Sequence, residues 1–178
     1  MSFVKKYKYR GYRKQEYEDF SIIDGEIWKE LENYPEIKVS NIGRILKGDK
    51  IAILKKDKNG YVRITIKDKN NKNHHIGVHR LVALAFIPNT DNKPEVDHIN
   101  TKKDDNRACN LRWVWATENI IDNKLTRERF LTKPKYYKKV IYETIRRDSI
   151  YSQKNQTKLN YSENTIFWLK KLEIKFLD

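Results

Sequence analysis

Apolar and polar residues alternate in several short stretches of this chain, and a period of two places successive side chains on opposite faces of a strand. Ile37 and Val39 fall on one face, with Lys38 and Ser40 on the other. Short strands are predicted around Trp28, over 37–39 and over 44–46, punctuated by turn signals at Asp24-Gly25, Pro35 and Asn41-Ile42-Gly43. Residues 61–66 alternate again and are followed by the polar run Asp68-Lys69-Asn70-Asn71-Lys72-Asn73, so the pattern predicts a hairpin returning over 74–78. Residues 79–86 change character. They hold good helix formers with no internal breaker, and Pro88 predicts the end of a short helix.

The next unit reads as a strand over 95–99, a polar loop, a strand over 111–115 and a helix from about 116 to 125. On the second strand, Trp113 and Trp115 fall on one face, and core packing is the expected use of both. A last helix is predicted from an N-cap at Ser162 through Ile166, Phe167, Leu169, Leu172 and Ile174. The fold class is therefore α+β.

Composition narrows the partners. Among 178 residues, 38 Lys and Arg against 24 Asp and Glu leave a net charge of +14. That balance predicts a polyanionic partner, nucleic acid before membrane. The basic charge concentrates in the first 14 residues, with Tyr7, Tyr9 and Tyr12 among them, and again over 124–147. The longest apolar run, residues 81–87, is far too short to cross a bilayer. The lone Cys109 permits no intrachain disulfide and no paired-cysteine zinc site. A soluble, cytoplasmic protein of a reducing compartment is the expectation.

Four histidines carry candidate chemistry. On one strand, His75 and His79 would lie ~13 Å apart, too far to share a metal. His74 and His75 read as surface or phosphate-contacting side chains. His98 stands apart because Asp97 precedes it and Asn106, Asn110, Arg112 and Asn119 follow. A hard divalent cation takes carboxylate and amide oxygens, and a neutral imidazole beside it can accept a proton from water near pH 7. Together they would supply a hydrolytic site for a phosphodiester. An Asn-rich polar loop with a capping asparagine is the competing account of the same residues.

Pro94-Glu95-Val96-Asp97-His98-Ile99-Asn100, Asn106-Arg107, Asn110-Leu111-Arg112-Trp113-Val114 and Thr117-Glu118-Asn119, taken together, resemble the HNH nuclease motif of phage and intron-encoded homing endonucleases. His79-Arg80-Leu81-Val82-Ala83 resembles the helix before that motif. Trp28-Lys29 through Tyr34 and Val39-Ser40-Asn41-Ile42-Gly43-Arg44-Ile45 resemble the NUMOD-type module often attached upstream. The resemblance implies a ββα-metal core and a DNA endonuclease acting on double-stranded DNA, as a monomer or a dimer. It implies Asp97 and Asn119 as ligands of one Mg²⁺ or Mn²⁺, His98 as general base and Asn110 as the residue holding the interstrand loop. Arg80 and Arg112 are candidate phosphate contacts. A catalytically inactive DNA-binding regulator could use the same modules, but Asp97, His98 and Asn119 are all present.

The chain departs from the family pattern in places. Asn100-Thr101-Lys102 stands where Asp-Gly-Asn is common, and Trp115 stands where a threonine usually caps the last helix, which suggests Thr117 as an alternative cap. The cysteine pairs of zinc-binding branches are absent, so no zinc is expected and packing by Trp113, Val114 and Ile120 must hold the core. The expected organisation is a basic arm over 1–21, the upstream module over 22–50, the nuclease domain over 51–125 and a basic, partly helical DNA-contacting extension over 126–178.

Overall fold

The computed structural model describes residues 25–174. The basic arm and the start of the upstream module lie outside them. Three small antiparallel sheets precede a group of helices. The first sheet runs β1 (Trp28–Glu30), β2 (Ile37–Ser40), β3 (Ile45–Lys47) and β4 (Lys50–Ile51), in that order. Ile37 and Val39 turn inward while Lys38 faces solvent, as the alternation requires. The second sheet is β5 (Lys55–Lys56), β6 (Val62–Lys67) and β7 (Asn73–Gly77). Its hairpin turns where Asp68 accepts backbone bonds from Asn70 at 2.9 Å and Lys72 at 3.0 Å. Helix α1 (Val78–Phe86) follows directly, and Ile87, before Pro88, is already extended.

The third sheet pairs β8 (Glu95–His98) with β9 (Leu111–Val114), and helices α2 (Ala116–Asp122), α3 (Lys124–Thr132), α4 (Pro134–Lys154) and α5 (Glu163–Lys171) complete the described chain. The helix expected over 116–125 breaks at Asn123, which is extended and caps α3 with its side chain.

Two cores hold these elements. Strands of two to six residues cannot bury a face alone, so all three sheets share α1. Val39 and Ile45 from the first sheet, Val62 and Ile66 from the second, and Val96 and Leu111 from the third surround Val78, Leu81 and Val82. The second core joins Trp115 and Ile121 to Phe130, Ile141, Ile145, Tyr161 and Leu169. Packing therefore crosses the two expected boundaries that fall within the described residues. The first core spans 50/51, and α2 packs on α4 and α5 across 125/126.

Trp113 and Trp115 do not share a strand face, because β9 ends at Val114. Trp113 packs on the first core and donates from Nε1 to the Ile87 carbonyl at 3.1 Å. Trp115 is fully buried in the second core, its Nε1 donating to the Asn160 carbonyl at 3.0 Å. Both tryptophans pack, but in different cores.

Candidate active site

The loop between β8 and β9 is fixed by its asparagines. Asn110 donates from Nδ2 to Asn100 Oδ1 at 3.0 Å and to the Asp105 carbonyl at 2.8 Å, while its Oδ1 accepts from the Asn100 backbone at 3.0 Å. Arg107 makes a two-pronged pair with Asp105, at 2.7 Å on each oxygen, and holds that carboxyl down at about 2. Thr101 lies in this loop at φ +63°, in the left-handed region. The need for such a backbone explains why glycine is common there in the family pattern.

Pleating puts Glu95 and Asp97 on one face of β8, and Val96 and His98 on the buried face. Asp97 stands opposite Arg112 in the register. Arg112 donates to Asp97 Oδ2 from Nε at 3.0 Å and from Nη2 at 2.8 Å, and Nη2 lies 3.0 Å from Asp122 on α2. Asn119, also on α2, donates from Nδ2 to Glu95 Oε2 at 2.9 Å, which brings it to the Asp97 face. Asp97, His98, Thr101, Arg112, Asn119 and Asp122 line one cleft of about 60 Å³. Asn110 lies outside it as a brace. Arg80 also lies outside it, donating to the Pro94 carbonyl at 2.6 Å where the chain enters β8.

His98 is buried, and its Nε2 lies 3.1 Å from Asn106 Oδ1. The His79 ring stands 5.1 Å away and the Tyr61 ring 6.1 Å away. Burial, and then the neighbouring His98, push His79 down to about 4, so it is neutral at physiological pH. His79 lies outside the constellation expected from spacing, yet the fold places it against His98. Asn106 belongs to the constellation read from the sequence, whereas nothing in the local pattern marks Tyr61 or His79 as neighbours of His98, because they reach it from the start of the second hairpin and from α1.

The start of α2 determines where Asn119 sits, and its capping differs from expectation. Trp115, not Thr117, is the N-cap residue. Trp115 has no oxygen to accept from the first turn, and Asp148 of α4 takes that role. Its Oδ1 accepts from the Ala116 backbone at 3.1 Å and its Oδ2 from the Thr117 backbone at 2.9 Å. Tyr161 adds a hydroxyl bond to Asp148 at 3.2 Å. Burial pushes the Asp148 carboxyl up, and the bonds from Thr117 and Ala116 offset part of that rise. Glu118 accepts from the Trp115 backbone at 2.8 Å and the Ser162 backbone at 2.7 Å, and pairs with Lys93 at 3.0 Å. The first turn of α2 is thus bonded to α4 and to the segment entering α5.

The donor set suits a hard cation. Both Arg112 bonds fall on Asp97 Oδ2, so Oδ1 is not engaged by Arg112. The Asn119 amide donates from nitrogen to Glu95, leaving its oxygen as the acceptor end. Among the described residues, no group of three or more His, Cys, Asp or Glu is placed to cage a metal. One carboxylate and one amide oxygen, with the remaining positions left to water and substrate phosphate, match the way Mg²⁺ is commonly held.

A family model described as HNH endonuclease matches residues 77–120, from the N-cap of α1 to the middle of α2. An uncharacterized HNH endonuclease of Acanthamoeba polyphaga mimivirus, L247, is 43% identical over 109 residues, covering 56% of this chain and 27% of that protein. The DNA endonuclease I-HmuI of Bacillus phage SP01 is 36% identical over 103 residues, covering 56% of this chain and 58% of that one. A solved structure described as DNA binding and cleavage by the HNH homing endonuclease I-HmuI superposes with a TM-score of 0.51 at 34% identity, over 57% of this chain and 59% of that chain. The matched segments are less than two thirds of each relative's length.

Proposed function

We propose that this chain, which carries an HNH endonuclease domain at residues 77–120, is a site-selective endonuclease of double-stranded DNA that hydrolyses a phosphodiester with one divalent metal. The observation that carries the reading is the convergence of Asp97, His98, Arg112 and Asn119, from two strands and a helix, on one cleft. That cleft lies at the junction covered by the family match, and the name of the phage relative supports DNA as substrate.

Asp97 and Asn119 would hold one Mg²⁺ or Mn²⁺. When bound, the ion supplies positive charge to the scissile phosphate and the leaving oxygen. His98 takes the proton from the attacking water, the role of a neutral imidazole held at a cleft wall. Arg112 brings a guanidinium to the same cleft and is the better placed of the two candidate arginines to meet a phosphate. Arg80 orders the entry to β8 instead. The first sheet, the β6–β7 hairpin and the basic extension contact the flanking duplex, where a β-ribbon can read a groove and lysines neutralise phosphates. The presence of Asp97, His98 and Asn119 at one cleft favours cleavage over an inactive DNA-binding regulator built on the same modules.

The test is incubation of the purified chain with supercoiled and linear duplex DNA, in Mg²⁺ or Mn²⁺ and in EDTA. Nicking or cutting with either metal, and none in EDTA, is the expected result. Full activity after removal of divalent ions overturns the metal assignment, and binding without cleavage under all metals favours the regulator.

A further inference from the structure

His98 is held by a contact to the β8–β9 loop, and that loop is in turn tied to the turn between β2 and β3 of the first sheet. His98 Nε2 lies 3.1 Å from Asn106 Oδ1, and both side chains are buried. The Asn106 amide is oriented by its Nδ2, which donates to the Asp104 carbonyl at 3.4 Å; a flip would set two oxygens against each other there. Nε2 must therefore carry the hydrogen and donate it, leaving the lone pair on Nδ1. Among the described residues, the buried side-chain nitrogens and oxygens without a partner are His79 Nδ1 and Thr157 Oγ1; His98 Nδ1 is not one of them.

Asn106 is seated from behind by the turn between β2 and β3. Gly43 adopts φ +89°, and a Cβ there would fall 2.9 Å from Asn106 Cβ and 3.2 Å from its carbonyl oxygen. The adjacent Asn41 carbonyl accepts from the Ala108 backbone at 2.7 Å. Asn41 is itself anchored, its Oδ1 accepting from Ile27 at 2.9 Å and its Nδ2 donating to Gly25 at 3.0 Å. Ser40, fully buried, closes the turn by accepting from Arg44 at 3.1 Å. The turn is thus pressed against the backbone of the residue that orients the imidazole.

We propose that Asn106 is the positioning residue for His98, fixing its Nε2–H tautomer and ring orientation, and that the Gly43 turn of the first sheet seats Asn106 for that task. The upstream module then acts on the reaction by direct contact with the site, beyond any contact it makes with DNA. The inference rests on the nuclease reading for its catalytic half and on geometry alone for its structural half.

The experiment uses the full chain with ¹⁵N-labelled histidine, observing the His98 ring nitrogens by NMR at pH 8, beside single-turnover cleavage at saturating DNA with Mg²⁺. The wild type is expected to show one tautomer, hydrogen on Nε2. Asn106→Leu, similar in shape but without an acceptor, gives a tautomer mixture and a rate lower by roughly 10–100-fold, the usual range for loss of such an outer partner. Its DNA affinity stays unchanged. Asn106→Asp keeps an acceptor for Nε2–H at the cost of the 3.4 Å bond to the Asp104 carbonyl, so it restores the single tautomer and recovers part of the rate lost in Asn106→Leu. Gly43→Ala reproduces part of the Asn106→Leu effect, and the double variant is no slower than Asn106→Leu alone, the signature of two residues in one path. Thermal melts confirm that each variant compared is folded, and Asn106→Asp against Asn106→Leu carries the test should Gly43→Ala not fold.

A wild-type ring with hydrogen on Nδ1, or an Asn106→Leu ring that keeps the single tautomer, overturns the proposal. A scrambled tautomer with an unchanged rate overturns the positioning role. A fixed tautomer in a wild type that cleaves no DNA overturns the nuclease reading instead and supports the structural half.

Discussion

Around the cleft, three side chains are proposed for three different tasks, and single substitutions separate them. Asp97→Ala removes the carboxylate proposed to face the ion, so metal affinity and cleavage fall together. Asn119→Ala removes a neutral oxygen, weakening metal binding less while abolishing most turnover. His98→Ala leaves both oxygens in place and loses roughly 10²–10⁴ in rate with metal and DNA binding retained. Calorimetric metal titration of each DNA complex, beside single-turnover cleavage, checks this set. Loss of metal by His98→Ala as complete as by Asp97→Ala would make the imidazole a ligand. Thr101 offers a stability test on the same loop. A left-handed backbone costs a residue with a Cβ about 1–2 kcal/mol, against roughly 0.5–1 kcal/mol of extra chain entropy for glycine. Thr101→Gly is therefore expected to stabilise the fold by about 0.5–1 kcal/mol in urea unfolding, and a loss of stability would contradict the strain account. Much of this residue-level picture was legible, because Asp97, His98, Asn110, Arg112 and Asn119 follow one another within a short strand–loop–strand–helix unit. Asn106 was legible as part of the His98 constellation but not as the partner of its Nε2, which depends on how the loop folds back, and His79 was not legible as a neighbour because it reaches His98 from a different element.

Among the elements, the strands declared themselves by alternation, and α1 and α5 by composition and capping; Ser162 does accept from the Thr165 backbone. Helix α4 escaped notice because its buried stripe is half polar. Ile141, Thr144, Ile145, Asp148 and Ser152 recur at helical spacing, but three of the five are not apolar. One of them, Asp148, does for α2 what a capping threonine does elsewhere, from a different helix. Its loss exposes two buried backbone donors, so Asp148→Ala is expected to destabilise the protein by about 1–3 kcal/mol. It should also slow cleavage, because Asn119 rides on the same turn. The pH dependence has a fixed sign. Folding raises the Asp148 pKa, chiefly through burial, so the folded state binds the proton more tightly than the unfolded chain. The wild-type advantage over Asp148→Ala is fully present below the ordinary carboxylate pKa of about 3.9 and declines as pH rises through the raised value. Chemical denaturation of both proteins across pH 3 to 8 checks the direction; an advantage that grows with pH contradicts it.

For the whole molecule, the basic excess was plain from composition, whereas the sharing of cores was not, because burial across a boundary leaves no mark on either side of it. The net charge of +14 predicts binding that weakens steeply with salt. Deleting residues 1–14, which hold six basic and no acidic residues, should lower affinity for all duplexes alike. It should also flatten the log–log salt slope by ~0.9 for each phosphate that the arm no longer neutralises. A deletion that shifts the preferred cleavage site while affinity holds would make the arm a reader of sequence. Among the described residues no helix is long and apolar enough to cross a membrane. Finally, Trp113 and Trp115 sit two positions apart yet belong to different cores. A chimera that imports helices from a relative to change target preference has its natural crossover between those tryptophans, not after α2. The imported block then brings its own counterpart of Asn119, so the proposed DNA contacts of the extension and one proposed metal ligand are inherited together.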